Sequence, residues 1–156
     1  MRTDAAFAVD YIEIICDRAL ELGGQTIPAT PEHLHYTVRE PFAVQARIVP
    51  YNHPLFFSAS KLAPPLVAGN AVILKAPDQA PLPALRTGEL AQEAQPPGLV
   101  SVVSGTGATT GRALVQHPRI RRIAFIGPER PAGRSSGTRR TPGSRTCRRS
   151  RAGRPR

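Results

Sequence analysis

Residues 42–75 carry the pattern on which the fold turns. They run Phe42, then Ala43-Val44-Gln45-Ala46-Arg47-Ile48-Val49, then the turn Pro50-Tyr51-Asn52-His53-Pro54, then a helical run closed by Gly69-Asn70, and last Ala71-Val72-Ile73-Leu74-Lys75. The apolar run from Val44 to Val49 is interrupted only by Gln45 and Arg47, as expected of a strand covered on both faces. Pro54 stands where a helix tolerates proline, in its first turn, and Pro64-Pro65 should bend or break that helix. The order strand, polar turn, helix, strand is that of a βαβ unit.

Working outward, the same alternation continues. Towards the N-terminus, Thr3 or Asp4 is placed to cap a helix running to about Leu22, with Phe7, Tyr11, Ile14, Ile15 and Leu22 on one broad face and Gly23-Gly24 ending it. Gln25 to Glu32 reads as a Pro- and Thr-containing link, and Tyr36 to Arg39 as a short strand stopped by Pro41. Towards the C-terminus, a helix is predicted from Pro81 to about Glu93, with Leu82, Leu85, Leu90 and Ala94 on its inner face. A third strand follows at Leu99 to Val103, a helix from about Ala108 to Gln116, and a fourth strand at Ile123 to Ile126. Strands alternating with helices at short spacing predict an α/β fold: a partial Rossmann-like parallel sheet of about four strands with flanking helices. In such sheets ligands bind beyond the carboxyl ends of the strands.

The charge is unevenly distributed. The chain of 156 residues has a formal net charge of +10, yet residues 1–133 hold 12 Lys and Arg against 11 Asp and Glu. Residues 134–156 hold nine Arg, no acidic residue and none of Val, Ile, Leu, Met, Phe, Tyr or Trp. A segment of that composition buries too little apolar surface to offset its ordering entropy, which predicts a disordered basic tail. The abrupt change at residue 134 suggests translation out of the original reading frame, a reading that fails if no other frame of the coding DNA continues the pattern. Domain organisation is thus a partial dinucleotide-binding unit over 1–133 and a tail over 134–156. Nine arginines could bind phosphates non-specifically, but the tail lacks aromatic stacking residues and any folded motif, so specific nucleic-acid recognition is not expected. Cys16 and Cys147 have no CxxC partner, and His33, His35, His53 and His117 lack metal-ligand spacing, so neither a disulfide framework nor a metal site is expected. No 18-residue apolar run and no signal peptide is seen, which gives a cytoplasmic location and no membrane partner as the default.

Six motifs in order resemble the aldehyde dehydrogenase superfamily over about residues 7–134. They are Pro50-Tyr51-Asn52-His53-Pro54, Lys61-Leu62-Ala63-Pro64, Ala68-Gly69-Asn70, Leu74-Lys75-Ala76-Pro77-Asp78, Pro96-Pro97-Gly98-Leu99-Val100 and Phe125-Ile126-Gly127. The resemblance implies oxidation of an aldehyde to a carboxylic acid with a nicotinamide cofactor, through attack by a cysteine thiolate. It implies that the Asn52 side-chain amide donates to the oxyanion so formed, a role for which a fixed amide donor is well suited. It implies that Val49 and Tyr51 line the cofactor groove and that Lys75 and Asp78 hold the adenosine ribose. An acidic group there disfavours the 2′-phosphate, so the expected cofactor is NAD rather than NADP. Gly107 and Gly111, in the turn Gly105-Thr106-Gly107 and the helix it opens, are placed against the adenine, and Gly127 against the pyrophosphate. Gly127 and Gly133 are one residue further apart than the family pattern, and Pro128 removes a backbone donor. The family's nucleophilic cysteine and its Glu-Leu-Gly-Gly base have no counterpart among these residues, so the chain is expected to be inactive alone. Pairing with full-length subunits through the first helix is a further expectation.

Overall fold

The computed structural model describes residues 2–28, 33–127 and the backbone of 145–148. The first helix, α1 (Arg2–Asp17), continues into a 3-10 turn at Arg18–Glu21. Two short strands, β1 (Thr26–Ile27) and β2 (His35–Tyr36), pair antiparallel. Then come β3 (Val44–Ile48), α2 (Pro54–Ser60), α3 (Ala63–Val67), β4 (Ala71–Lys75), α4 (Leu82–Ala94) and β5 (Val100–Val103). A single π-helical turn at Gly107–Gly111 leads into α5 (Arg112–Gln116), followed by β6 (Ile120–Phe125) and β7 (Arg145–Arg148).

The main sheet is wholly parallel, in the order β5-β4-β3-β6-β7. The chain steps from β3 through β4 to β5 and then returns past β3 to β6. Right-handed crossovers in opposite directions place their helices on opposite faces. The core divides accordingly. On one face Val49, Leu62, Val72, Leu74, Ala76, Ala84 and Val100 form a cluster with Phe57, Leu66, Ala91 and Val102 packed against it. On the other, Ala46, Leu114, Ile120 and Ile123 are joined by Val44, Ile48, Ile73, Val103 and Val115. The reversal of strand order between β3 and β6 is a topological switch point, where the loops leaving the two strands diverge and open a crevice.

Four local features differ from the expectation. Thr26–Ile27, within the expected link, forms β1, and its partner β2 is His35–Tyr36 rather than Tyr36 to Arg39. The inner face of α4 is made of small residues: Ala84 and Gly88 are buried, whereas Leu82 and Leu90 are exposed. A Cβ on Gly88 would lie 2.4 Å from Val102 Cγ2, so this helix approaches β5 more closely than leucines allow. On α1, Ala8 is buried and Tyr11, Ile12 and Ile15 are half-buried, while Phe7 and Ile14 are exposed. A fifth strand joins the sheet, because Arg145–Arg148 pairs parallel with β6 in the register Arg122↔Arg145 to Phe125↔Arg148. A ladder is built by backbone donors and acceptors, so an edge strand can recruit a segment by its backbone alone. The rest of 134–156 lies outside the described residues.

The βαβ unit is closed by Asn70, a buried side chain whose importance the sequence did not signal beyond its place after Gly69. Its Oδ1 accepts from Phe42 N at 2.6 Å, and its Nδ2 donates to Pro65 O and Ala68 O, each at 3.0 Å. One amide thus ties the end of α3 to the entry of β3. Beside it Ala43 has φ 71°, a left-handed conformation that an alanine adopts at a cost.

Candidate cofactor and oxyanion site

The carboxyl ends of β3, β4, β5 and β6 form one edge, and the candidate residues Val49, Tyr51, Asn52, Lys75, Asp78, Gly107 and Gly127 are on the segments leaving it. Val49 N donates to Lys75 O at 3.5 Å, Ala76 N to Val103 O at 2.9 Å, and Ile126 N to Ile48 O at 3.1 Å, which aligns the four strand ends. Val49 is buried at the switch point, with Gly127 half-buried across from it at the end of β6. A Cβ on Gly127 would lie 2.6 Å from Phe125 Cζ, so the backbone there lies close to that ring. Pro128 and Gly133 lie outside the described residues.

Lys75, Asp78 and Gly107 form a connected group. The Lys75 side chain is only 4% exposed and its ammonium is paired with Asp78 Oδ1, whose side chain is 40% exposed. A buried ammonium needs such a partner. Asp78 Oδ2 accepts from Gly107 N at 3.2 Å. The carboxylate therefore joins the end of β4 to the loop after β5. That loop is shaped by its threonines: Thr106 Oγ1 accepts from Thr109 N at 3.2 Å, and Thr110 Oγ1 donates to Ser104 O at 3.2 Å. Gly105 takes φ 124°, a conformation open to glycine alone in practice. A Cβ on Gly107 would meet nothing within 4 Å, which leaves open space beside Asp78. Gly111 is buried at the end of the π turn, and its N–H donates to Thr106 O at 3.2 Å. Single π turns are frequent at functional sites.

The turn Pro50-Tyr51-Asn52-His53-Pro54 projects from β3. Tyr51 is 60% exposed, and Asn52 is exposed with no hydrogen-bond partner for its amide among the described residues. His53, which the sequence marks only as a turn position, is the residue that anchors. Its Nδ1 lies 3.2 Å from Asp4 Oδ1, and its ring meets Phe57 edge-on at 6.4 Å. Among the described residues no group of three His, Cys, Asp or Glu side chains could hold a metal ion, and no helix is long and apolar enough to cross a membrane.

A doubly covered parallel sheet, with a polar cluster and a glycine loop at its carboxyl edge, defines the Rossmann-like class of α/β domain. Within that class the chain belongs to the aldehyde dehydrogenase family, whose profile matches residues 1–139. It is 42% identical over 130 residues to the aldehyde dehydrogenase tropH of Talaromyces stipitatus, a match covering 81% of this chain and 25% of that protein. Its fold superposes with a TM-score of 0.80 on an NADP-dependent glyceraldehyde-3-phosphate dehydrogenase from Bacillus halodurans complexed with NADP. That pair is 33% identical and the match covers 88% of this chain and 30% of the other. With PnpE, a protein of Pseudomonas sp. WBC-3, in complex with nicotinamide adenine dinucleotide, the TM-score is 0.78 at 36% identity, covering 85% of this chain and 28% of the other. The chain spans about a quarter of the length of the curated relatives it matches, 25% and 26% for two fungal aldehyde dehydrogenases.

Proposed function

We propose that this chain forms the adenosine-ribose and pyrophosphate part of a nicotinamide-dinucleotide site and carries the amide that receives the oxyanion in aldehyde oxidation. The observation that carries the reading is the Lys75–Asp78–Gly107 group at the carboxyl edge of a parallel sheet, on the same edge as Asn52. The residues suit the ligand. Lys75 and Asp78 offer a donor and an acceptor for ribose hydroxyls, Gly107 leaves space for the adenine, Gly111 ties back to that loop through its N–H, and Val49, Tyr51 and Gly127 flank the crevice.

A bound nicotinamide supplies an acceptor for the hydrogen and electron pair leaving the aldehyde carbon. In this reading Asn52 acts on the other side of that chemistry. When a thiolate attacks the carbonyl carbon, the π pair moves to oxygen, and the Asn52 Nδ2–H donates to that charge. Removing a donor of this kind costs roughly a hundredfold or more in rate. Neither Cys16, exposed on α1, nor Cys147, opposite Ala124 in the β6–β7 register, is assigned the nucleophile's role. The purified chain is accordingly proposed to form no NADH from aldehydes by itself.

NAD is the proposed cofactor, because the Asp78 carboxylate would face a 2′-phosphate. Its pairing with Lys75 softens that repulsion, so the preference is modest. Asp78→Ser should shift the ratio of NADP to NAD affinity towards NADP by about tenfold, equivalent to ~1.4 kcal/mol. Exposed Phe7, Ile14 and Leu20 on and beside α1 support pairing with full-length subunits, which co-purification with an intact family member would test. The site itself is tested by amide chemical shifts of the chain titrated with NAD. The expected shifts cluster at Val49, Tyr51, Lys75, Asp78, Gly107 and Gly127; shifts confined to β1, β2 or α1 would overturn the assignment.

A further inference from the structure

We propose that Asp4 and His53 are positioning residues for Asn52, so that helix α1 sets the direction of the oxyanion donor. The proposal rests on the assignment of Asn52 above, and it concerns two residues to which the family resemblance gives no role. Pro50 and Pro54 fix the backbone at the two ends of the turn. Between them Tyr51 is exposed and Asn52 has no side-chain partner among the described residues, so neither side chain holds the turn in place. His53 does. Its Nδ1–H donates to the Asp4 carboxylate, at 3.2 Å from Oδ1 and 3.5 Å from Oδ2. Its carbonyl accepts from Phe57 N at 2.9 Å, which begins α2.

Asp4 is itself well placed to act as a fixed point. It stands in the first turn of α1, where a carboxylate is favoured by the helix dipole, and its side chain is 26% exposed. The helix that carries it is held against α2 further along. Tyr11 meets Phe56 edge-on at 6.3 Å, and Lys61 Nζ lies 5.3 Å from the centre of the Tyr11 ring. These contacts dock the two helices, whereas the Asp4–His53 contact carries α1 to the turn itself. An exposed pair of this kind adds little to overall stability. Its effect is therefore expected on the geometry of the adjacent residue, separable from its effect on folding.

The test measures ¹⁵N relaxation of the full chain, reading the backbone and side-chain amides of Asn52. In the parent chain the Asn52 backbone order parameter should be near that of rigid structure, about 0.85, and Asp4→Ala should lower it below about 0.6. Asp4→Asn, which keeps an acceptor for Nδ1–H, should restore order although it also removes the charge. His53→Ala should match Asp4→Ala, and the double variant should be no more mobile than either. Tyr11→Leu, which disturbs the same helix pair without touching the turn, should lower the melting temperature and leave Asn52 ordered. An Asn52 that stays ordered in Asp4→Ala, or that loosens equally in Tyr11→Leu, overturns the proposal. Should Asp4→Ala fail to fold, His53→Ala against His53→Gln decides by the same readout. Because the measurement involves neither cofactor nor aldehyde, its outcome is independent of whether Asn52 serves an oxyanion.

Discussion

Gly88→Ala is the sharpest test of how the sheet and its helices are packed. The glycine lies on the buried face of α4, and the built Cβ falls 2.4 Å from Val102 Cγ2 and 3.2 Å from Val102 Cβ. Carbon atoms in contact prefer about 3.5–4.0 Å, so the methyl is more than an ångström too close. Valine has few χ1 alternatives, and rotating its methyl away leaves the Val102 Cβ contact tight. The helix must therefore lift from β5. Overpacking of this kind costs typically 1–3 kcal/mol, while replacing a mid-helix glycine by alanine returns about 1 kcal/mol. The expected net effect is a loss of up to about 2 kcal/mol, read as a lower urea midpoint by circular dichroism with an unchanged slope. Gly88→Ala combined with Val102→Ala should destabilise by less than the sum of the two single variants, because the removed methyls make room for the new one. A stabilising Gly88→Ala would refute the reasoning, since it would mean that the helix lies far enough from β5 to accept a side chain.

Three further outcomes follow from the same core. Ala43→Gly should stabilise the chain by about 1 kcal/mol in the same denaturation experiment, because the left-handed φ of 71° suits glycine. Asn70→Ala should cost about 2–4 kcal/mol, since it strips three hydrogen bonds and takes the acceptor from the Phe42 N–H and the side-chain donor from Ala68 O, while Pro65 O keeps the backbone N–H of residue 70; a loss under 1 kcal/mol would count against the closing role of this side chain. Ser60→Ala should be neutral or stabilising by about 1 kcal/mol in thermal unfolding, because Ser60 Oγ is buried with no hydrogen-bond partner among the described residues.

How far the residues announce the structure depends on which signal each one gives. The βαβ core was legible because apolar runs, paired prolines and Gly69 mark strand, break and turn by backbone physics that tertiary context does not override. The break expected at Pro64-Pro65 falls just before the prolines, at Lys61 and Leu62 between α2 and α3, and the prolines themselves stand in the first turn of α3. The face of α4 was misread because periodicity is judged by bulk, and here closeness to the sheet selects Ala84 and Gly88 while Leu82 is left outside. The strand at Arg145–Arg148 had no side-chain signal at all, because its contribution to the sheet is its backbone.

The site divides along the same line. Lys75 and Asp78 are three residues apart at a strand end, so their meeting could be anticipated from local geometry. The link from Asp78 to Gly107 spans 29 positions, and the link from Asp4 to His53 spans 49. Neither has a local signature; each depends on which strands become neighbours and on where α1 comes to rest. Asn70 belongs between the two cases: a polar residue after a helix-ending glycine is an ordinary surface feature in sequence, and only the return of Phe42 beside it makes it a buried tie.

The measurement that bears most directly on the central claim is calorimetric titration of the folded 156-residue chain with NAD, beside the same titration of Lys75→Met. Methionine fits a side chain that is only 4% exposed and cannot donate to a ribose hydroxyl. The account predicts saturable one-to-one binding to the parent chain, weakened at least about tenfold in the variant, a difference of ~1.4 kcal/mol. Equal affinities in the two chains, or no binding of NAD by a folded parent, would contradict it.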